Sequence, residues 1–161
     1  KPSADAKRVF IDAELPDGAA LLHADPQRLE QAIWNLLSNA VKFTPSDGRV
    51  RIAVAVEPGT CTLTVSDTGE GIDADVLPHI FERFRQGDAS TTRAHAGLGI
   101  GLALVRHIVE LHGGRVRAAS AGRGQGTTFH VQLPAPVMAT GPTRSVPGAA
   151  QSTSPRTIPR A

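Results

Sequence analysis

Asp25-Pro-Gln-Arg-Leu-Glu-Gln-Ala-Ile-Trp-Asn-Leu-Leu-Ser-Asn-Ala-Val-Lys-Phe-Thr44 is the stretch on which the reading of this 161-residue chain turns. Asp25 is a good helix N-cap, and Pro26 suits a first turn in which a backbone N–H has no partner to lose. Leu29, Ile33, Leu36, Ala40 and Phe43 recur at helical spacing, so the spacing predicts an amphipathic helix with one buried stripe. Beside that stripe Asn35 and Asn39 are one turn apart and Lys42 follows, so all three leave from one face. Amide oxygens suit a hard cation and an ammonium suits phosphate charge, which makes this face a candidate wall for a magnesium-bound phosphate. Taken alone, the same face reads more simply as a solvated surface carrying two amides and a lysine.

Working outward, residues 7–14 read as a strand, followed by a Leu-Pro-Asp-Gly turn and a short apolar run from Ala20 to His23. Beyond the helix, Pro45-Ser-Asp-Gly48 turns into Arg49–Val56, where Val50, Ile52, Val54 and Val56 alternate with Arg51, Ala53 and Ala55 to give a strand with one apolar face. Glu57-Pro-Gly-Thr60 reverses the chain into Cys61–Asp67. In that strand Leu63 and Val65 share a face with Asp67, so the carboxylate is predicted to point inward, to the edge of any pocket between sheet and helices. An inward carboxylate is costly unless hydrogen-bonded, so Asp67 is either a structural anchor or a ligand contact. The following Thr68-Gly-Glu-Gly-Ile72 favours the ligand, because two glycines permit close approach or positive φ, although an ordinary glycine turn would look the same.

Residues 74–86 are predicted to be a short helical or turn-rich piece, and the polar, aperiodic run from Gly87 to Ala96 a mobile loop. Gly97-Leu-Gly-Ile-Gly-Leu102 then feeds a helix whose apolar residues include Ile100, Leu104, Val105, Ile108 and Leu111. Such a helix start offers N–H groups and a positive dipole end to an anion, or else serves as a hinge. His112-Gly-Gly114 stops that helix. Two strands follow, Arg115–Ser120 and Thr127–Leu133, joined by a glycine-rich loop that needs no function as a hairpin yet offers Gly-x-Gly-Thr to a nucleotide. Residues 135–161 are rich in Pro, Ser, Thr, Gly, Ala and Arg without an apolar period and read as a disordered linker or tail, leaving residues 1–134 as one domain.

Composition excludes several function classes. The formal charge of +2 hides an asymmetry: residues 1–110 hold eleven Lys or Arg against fifteen Asp or Glu, whereas residues 111–161 hold six Arg and no acid. Spaced arginines without aromatics are a poor nucleic-acid footprint. The single Cys61 allows no internal disulfide and sits in an alternating apolar stretch, so a reduced compartment and a buried, unreactive thiol are expected. No apolar run approaches a membrane span and the start lacks a signal-peptide core, so a soluble cytoplasmic fragment without membrane contact, most simply a monomer, is expected even if its parent is membrane-anchored.

Five stretches in order, Asn35-Leu-Leu-Ser-Asn-Ala-Val-Lys-Phe-Thr44, Asp67-Thr-Gly-Glu-Gly-Ile72, Ile80-Phe-Glu-Arg-Phe84, Gly97-Leu-Gly-Ile-Gly-Leu102 and Gly124-Gln-Gly-Thr127, resemble the N, G1, F, G2 and G3 boxes of the ATP-binding catalytic domain of bacterial sensor histidine kinases. The resemblance covers roughly residues 7–133. It implies an α+β fold of the Bergerat ATP-binding type: a two-layer α/β sandwich with a mixed sheet of about five strands and about three helices on one face. It further implies ATP and Mg2+ as cofactors, with Asn39 ligating the metal, Asn35 helping and Lys42 meeting the phosphates. These three residues are the candidate catalytic set. Asp67 would accept from the adenine amino group, Gly69 and Gly71 would line the base pocket, and Gly97, Gly99 and Gly101 would form a lid with Arg93 as a further contact. Ile72, Phe84, Leu98, Leu102 and Thr127 complete the nucleotide-binding set that the resemblance implies.

In the hydrolytic gyrase and heat-shock chaperone relatives a glutamate stands four residues before the magnesium asparagine. Here that place holds Asn35, a poor general base, so phosphoryl transfer to an external acceptor is expected over hydrolysis. None of His23, His79, His95, His107, His112 or His130 has the His-Glu/Asp context of a phosphoacceptor. The resemblance therefore implies a separate dimerisation and phosphoacceptor domain as partner, with a response regulator downstream. A serine kinase of the anti-sigma type, which shares the fold, and a non-catalytic nucleotide-binding interaction module are the competing readings.

Overall fold

The computed structural model describes residues 7–17, 22–82 and 100–136. The central helix α1, Pro26–Phe43, begins where its capping residue places it, with the Asp25 carboxylate accepting from the N–H groups of Gln27 at 2.9 Å and Arg28 at 3.2 Å. Its buried residues are Ala32, Leu36 and Ala40, while Phe43, placed on the stripe by periodicity, is 40 % exposed. Position explains the difference. Phe43 is the last helical residue, and the next, Thr44, is drawn fully inward, its hydroxyl donating to Ala40 O at 2.6 Å. The carbonyls left over at this end are met by the Lys7 ammonium, which donates to Val41 O and Lys42 O and sets a positive charge at the negative end of the helix dipole.

Five strands form one mixed sheet in the order β1-β2-β3-β5-β4, comprising β1 Phe10–Glu14, β2 Arg49–Glu57, β3 Thr60–Asp67, β4 Arg115–Ala119 and β5 Thr127–Pro134. Only β1 runs parallel to its neighbour; the other pairings are antiparallel. The first strand starts three residues later than its composition predicts, because Arg8 adopts φ 54° and breaks the extended run, and all five residues of this edge strand are exposed. Register carries one face of Val50, Val65, Phe129 and Val131 into the core, where they meet Leu36 of α1 and Val105, Ile108 and Val109 of the second helix α2, Gly101–Leu111. The opposite face bears Arg51, Glu57, His130 and Gln132 to solvent, the usual arrangement of a half-covered, largely antiparallel sheet.

Two sequence expectations for α2 are corrected. Ile100 and Leu111 are 40 % and 69 % exposed, whereas Ala103 and Val109 are buried. Helical periodicity alone does not say which of two adjacent apolar rows meets the sheet. Between β3 and α2 the described chain holds one short 3-10 turn, Leu77–His79, after which Phe81 sets its ring edge-on to Phe129 with centroids 6.3 Å apart. The described residues thus contain two α-helices and that turn. The anticipated mobile loop, residues 87–96, and nearly all of the anticipated tail from 135 onward lie outside them. Cys61 is buried on the core side of β3, and burial pushes its thiol up, which favours the neutral, unreactive form.

Candidate functional site

At the end of β3, Asp67 is half-buried and lies in register between Val50 of β2 and Thr127 of β5. The inward parity expected from Leu63 and Val65 is therefore realised. Its Oδ1 accepts two backbone N–H bonds, from Gly69 at 2.8 Å and from Thr127 at 3.2 Å. Both bonds end on one oxygen, which restrains the carboxylate from two sides and leaves the acceptor capacity of Oδ2 outside these contacts. Burial pushes the carboxyl above its ordinary value, and the two N–H bonds oppose that shift without cancelling it.

The loop after Asp67 is held by the main chain on two sides. Toward α1, Glu70 donates its N–H to Phe43 O at 3.0 Å, and Gly69 lies so close that an added Cβ would come within 2.5 Å of the same carbonyl. Phe43 follows Asn39 by one helical turn, so the loop abuts the amide-bearing end of α1. Toward the other side, the loop from Gly122 to Thr127 folds onto Asp67–Ile72. Gly124 donates to Glu70 O at 2.7 Å and Gly126 to Gly69 O at 3.1 Å, while Ser120 Oγ accepts from Ile72 N at 2.9 Å and donates to Gly126 O at 2.8 Å. Arg123 closes the outer edge through a forked contact with Asp73, whose carboxyl that guanidinium holds below its ordinary value. These ties bring together the Asp-x-Gly-x-Gly and Gly-x-Gly-Thr stretches, 60 positions apart at Asp67 and Thr127, as one surface.

The second wall is where α1 meets the start of α2. Asn35 Nδ2 donates to Gln31 O at 2.9 Å, turning its Oδ1 away from its own helix. A Cβ on Gly101 would lie 3.1 Å from that Oδ1 and 3.9 Å from Asn39 Nδ2, so both amides face the first residue of α2. Lys42 places its ammonium 5.1 Å from the centre of the Phe43 ring, a geometry for cation–π attraction at the same end of the helix. At the far end of the helix pair, His112 Nε2 accepts from Asp25 N at 3.0 Å and its Nδ1 donates to Ile108 O at 2.7 Å, pinning the close of α2 to the opening of α1. Among the described residues no group of three or more His, Cys, Asp or Glu side chains is placed to hold a metal. A cation here would take amide oxygens, and magnesium, which keeps waters and binds through few protein ligands plus phosphate, is compatible with that donor set.

Residues 24–137 match the family model described as histidine kinase-, DNA gyrase B-, and HSP90-like ATPase. This chain belongs to that family. Among curated relatives of this ATPase family, the circadian input-output histidine kinase CikA of Synechococcus elongatus is 43 % identical over 127 residues, covering 79 % of this chain and 17 % of the relative. The autoinducer 2 sensor kinase/phosphatase LuxQ of Vibrio parahaemolyticus is 44 % identical over 124 residues, 73 % of this chain and 14 % of the relative. The ATPase-family chain thus spans about a sixth of the length of these curated relatives. Among solved structures, the mycobacterial sensor histidine kinase MprB superposes with a TM-score of 0.72 at 29 % identity, over 85 % of this chain and 89 % of that one. Full-length ShkA in complex with AMPPNP gives 0.72 at 33 % identity, over 85 % of this chain and 28 % of that one. The resemblance to the ATP-binding catalytic domain of a sensor histidine kinase, and the expected fold, are borne out. CikA and the hybrid signal transduction histidine kinase D of Dictyostelium discoideum, 40 % identical over 134 residues, are both named histidine kinases.

Of the residues singled out in the sequence, Asn35, Asn39, Lys42, Asp67, Gly69, Gly71, Ile72, Gly101, Leu102 and Thr127 lie in the described structure. Asn35 and Asn39 converge on Gly101, whereas Asp67, Gly69, Gly71, Ile72 and Thr127 form the glycine-loop floor. Leu102 packs against the core. Phe84, Arg93, Gly97, Leu98 and Gly99 lie outside the described residues. Sequence reasoning missed Ser120, which joins the two loops, and the Asp73–Arg123 pair. A serine two residues before a glycine is a frequent turn-former, and that was the available signal for the first; long-range ion pairs leave none.

Proposed function

We propose that this domain binds Mg-ATP between α1 and the paired glycine loops and supplies its γ-phosphoryl group to a histidine on a separate dimerisation and phosphoacceptor domain, in two-component signalling. The observation that supports it most is the geometry of Asp67, whose carboxylate is oriented by two N–H groups on one oxygen, leaving the other to accept from an exocyclic amino group. Such an oriented, half-buried acceptor above interlocked main chain suits the flat, amino-bearing edge of adenine. Asn39 and Asn35 would hold the metal through amide oxygens, and Lys42 would meet the phosphates. Magnesium, when bound there, would supply neutralisation of phosphate charge. The chain contributes positioning and charge complementarity, and Asn35, lacking a carboxylate, does not activate water. The acceptor imidazole and its base belong to the partner domain, and the phosphoryl group leaves ADP as the N–P bond forms.

Calorimetry with Mg-ADP is the first test: saturable binding is expected, and absence of heat at millimolar nucleotide overturns the proposal. With the phosphoacceptor domain added, labelled phosphate should be acid-labile and base-stable. The opposite stability would move the assignment to a serine kinase. Asn39→Ala is expected to reduce the magnesium dependence of nucleotide binding while the fold is kept, and a variant that titrates with magnesium as the parent does would remove Asn39 from the metal site.

A further inference from the structure

We propose that Ser120 is a positioning residue of the nucleotide pocket, locking the two glycine loops together so that Asp67 presents its acceptor in a fixed plane; this rests on the reading of Asp67 as the group that meets adenine. Ser120 follows the last residue of β4. Its hydroxyl has one proton and two lone pairs, and every one is used. The proton goes to Gly126 O at 2.8 Å, and the lone pairs receive Ile72 N at 2.9 Å and Gly122 N at 3.3 Å. One side chain thereby grips both loops at the residues that flank the Asp67 contacts. Gly126 immediately precedes Thr127, the N–H of which holds Asp67 Oδ1, and Gly126 itself donates to Gly69 O, Gly69 being the second donor to Oδ1.

The fit is tight. A Cβ on Gly71 would fall 2.0 Å from Gly122 O and 3.2 Å from Ser120 Oγ. With no hydroxyl, Ile72 N, Gly122 N and Gly126 O all lose their partner at the seam. The loops carry their own direct bonds, Gly124 to Glu70 and Gly126 to Gly69, so the fold survives and what is lost is the angle at which Asp67 stands.

The test compares Mg-ADP with Mg-IDP, in which an oxo group replaces the 6-amino group, on the whole chain by calorimetry. A substitution that only lowers the population of folded protein weakens both ligands by the same factor and leaves their ratio unchanged. Ser120→Ala is expected to weaken Mg-ADP by about tenfold and Mg-IDP much less, so that the preference for adenine falls; this corresponds to about 1.4 kcal/mol. Ser120→Thr, which retains the hydroxyl, should restore part of the preference. If Ser120→Ala does not fold, Ser120→Cys keeps the size while weakening donor and acceptor and takes its place in the comparison. An ADP to IDP ratio equal to that of the parent in the Ala or Cys variant overturns the proposal, whatever happens to the absolute affinities. A parent chain that binds Mg-ADP no better than Mg-IDP overturns instead the reading of Asp67 on which it rests.

Discussion

Asp67 and the glycines around it show how much a single position decides. Because burial pushes its carboxyl up, the folded chain takes up a proton more readily than the unfolded one. The contribution of this group to stability is therefore full below the ordinary carboxylate value and is lost as pH rises through the folded-state value. Nucleotide affinity should run the other way: in the proposed function the ionised form accepts from adenine, so Mg-ADP binding is expected to weaken as pH falls through that raised value. Asp67→Asn should remove this acid limb, since an amide keeps Oδ1 for Gly69 and Thr127 but turns a donor toward a donor. An affinity loss of about tenfold or more is expected in calorimetry across pH 4.5–7.5, with unfolding free energy in urea changed by less than about 1 kcal/mol. A large fall in nucleotide-free stability would mark Asp67 as an anchor only. A second contrast lies close by. Gly124 and Gly126 share left-handed φ values of 73° and 70°, but a Cβ at Gly124 meets open space while one at Gly126 falls 2.0 Å from Asp67 O. Gly124→Ala should cost only about 1–2 kcal/mol of backbone strain, and Gly126→Ala clearly more, as read from urea midpoints.

At the scale of elements, α1 carries the most information and was the most legible. Its start, length and polar face follow from Asp25, Pro26 and the spacing of Leu29, Ile33, Leu36 and Ala40. Asp25→Ala should cost about 1 kcal/mol, the usual worth of such a cap, measured by chemical unfolding; a change near zero would mean that the backbone bond from Asp25 N to His112 holds the helix start alone. Less legible was α2, where Ile100 and Leu111 fit the apolar period yet face outward. A helix of 11 residues lying across both a sheet and another helix has a broad buried arc, so period alone does not fix its edges. Leu111→Ala is accordingly expected to change stability by less than about 0.5 kcal/mol, whereas Leu36→Ala, fully buried between α1 and the sheet, should cost about 2–5 kcal/mol. Comparable costs in the two variants would contradict the packing described.

In the whole molecule, the two layers follow from alternation in β2, β3 and β5 and from two amphipathic helices, so the architecture was within reach of the sequence. The parity of Asp67 was readable because a strand repeats every two residues and Leu63 and Val65 mark the inner face. Side-chain ties across long separations were not readable. Nothing in the order of residues couples Ser120 to Ile72, Arg123 to Asp73 or His112 to Asp25, since each depends on where the turns leave the chain in space. The amide face of α1 was ambiguous for the same reason, since nothing in the order of residues sets Gly101 against Asn35 and Asn39.

The floor beside Asp67 is built from peptide groups, its donors and acceptors being Gly69 N, Thr127 N, Glu70 O, Gly69 O and Gly126 O. Side-chain replacement cannot delete a peptide group, and three of the glycines that bring those groups together, Gly69, Gly71 and Gly126, leave no room for a Cβ. Sequence drift at this floor is therefore confined to positions such as Gly124, where a Cβ meets open space, while at Gly69, Gly71 and Gly126 any side chain would drive into the main chain of the opposing segment.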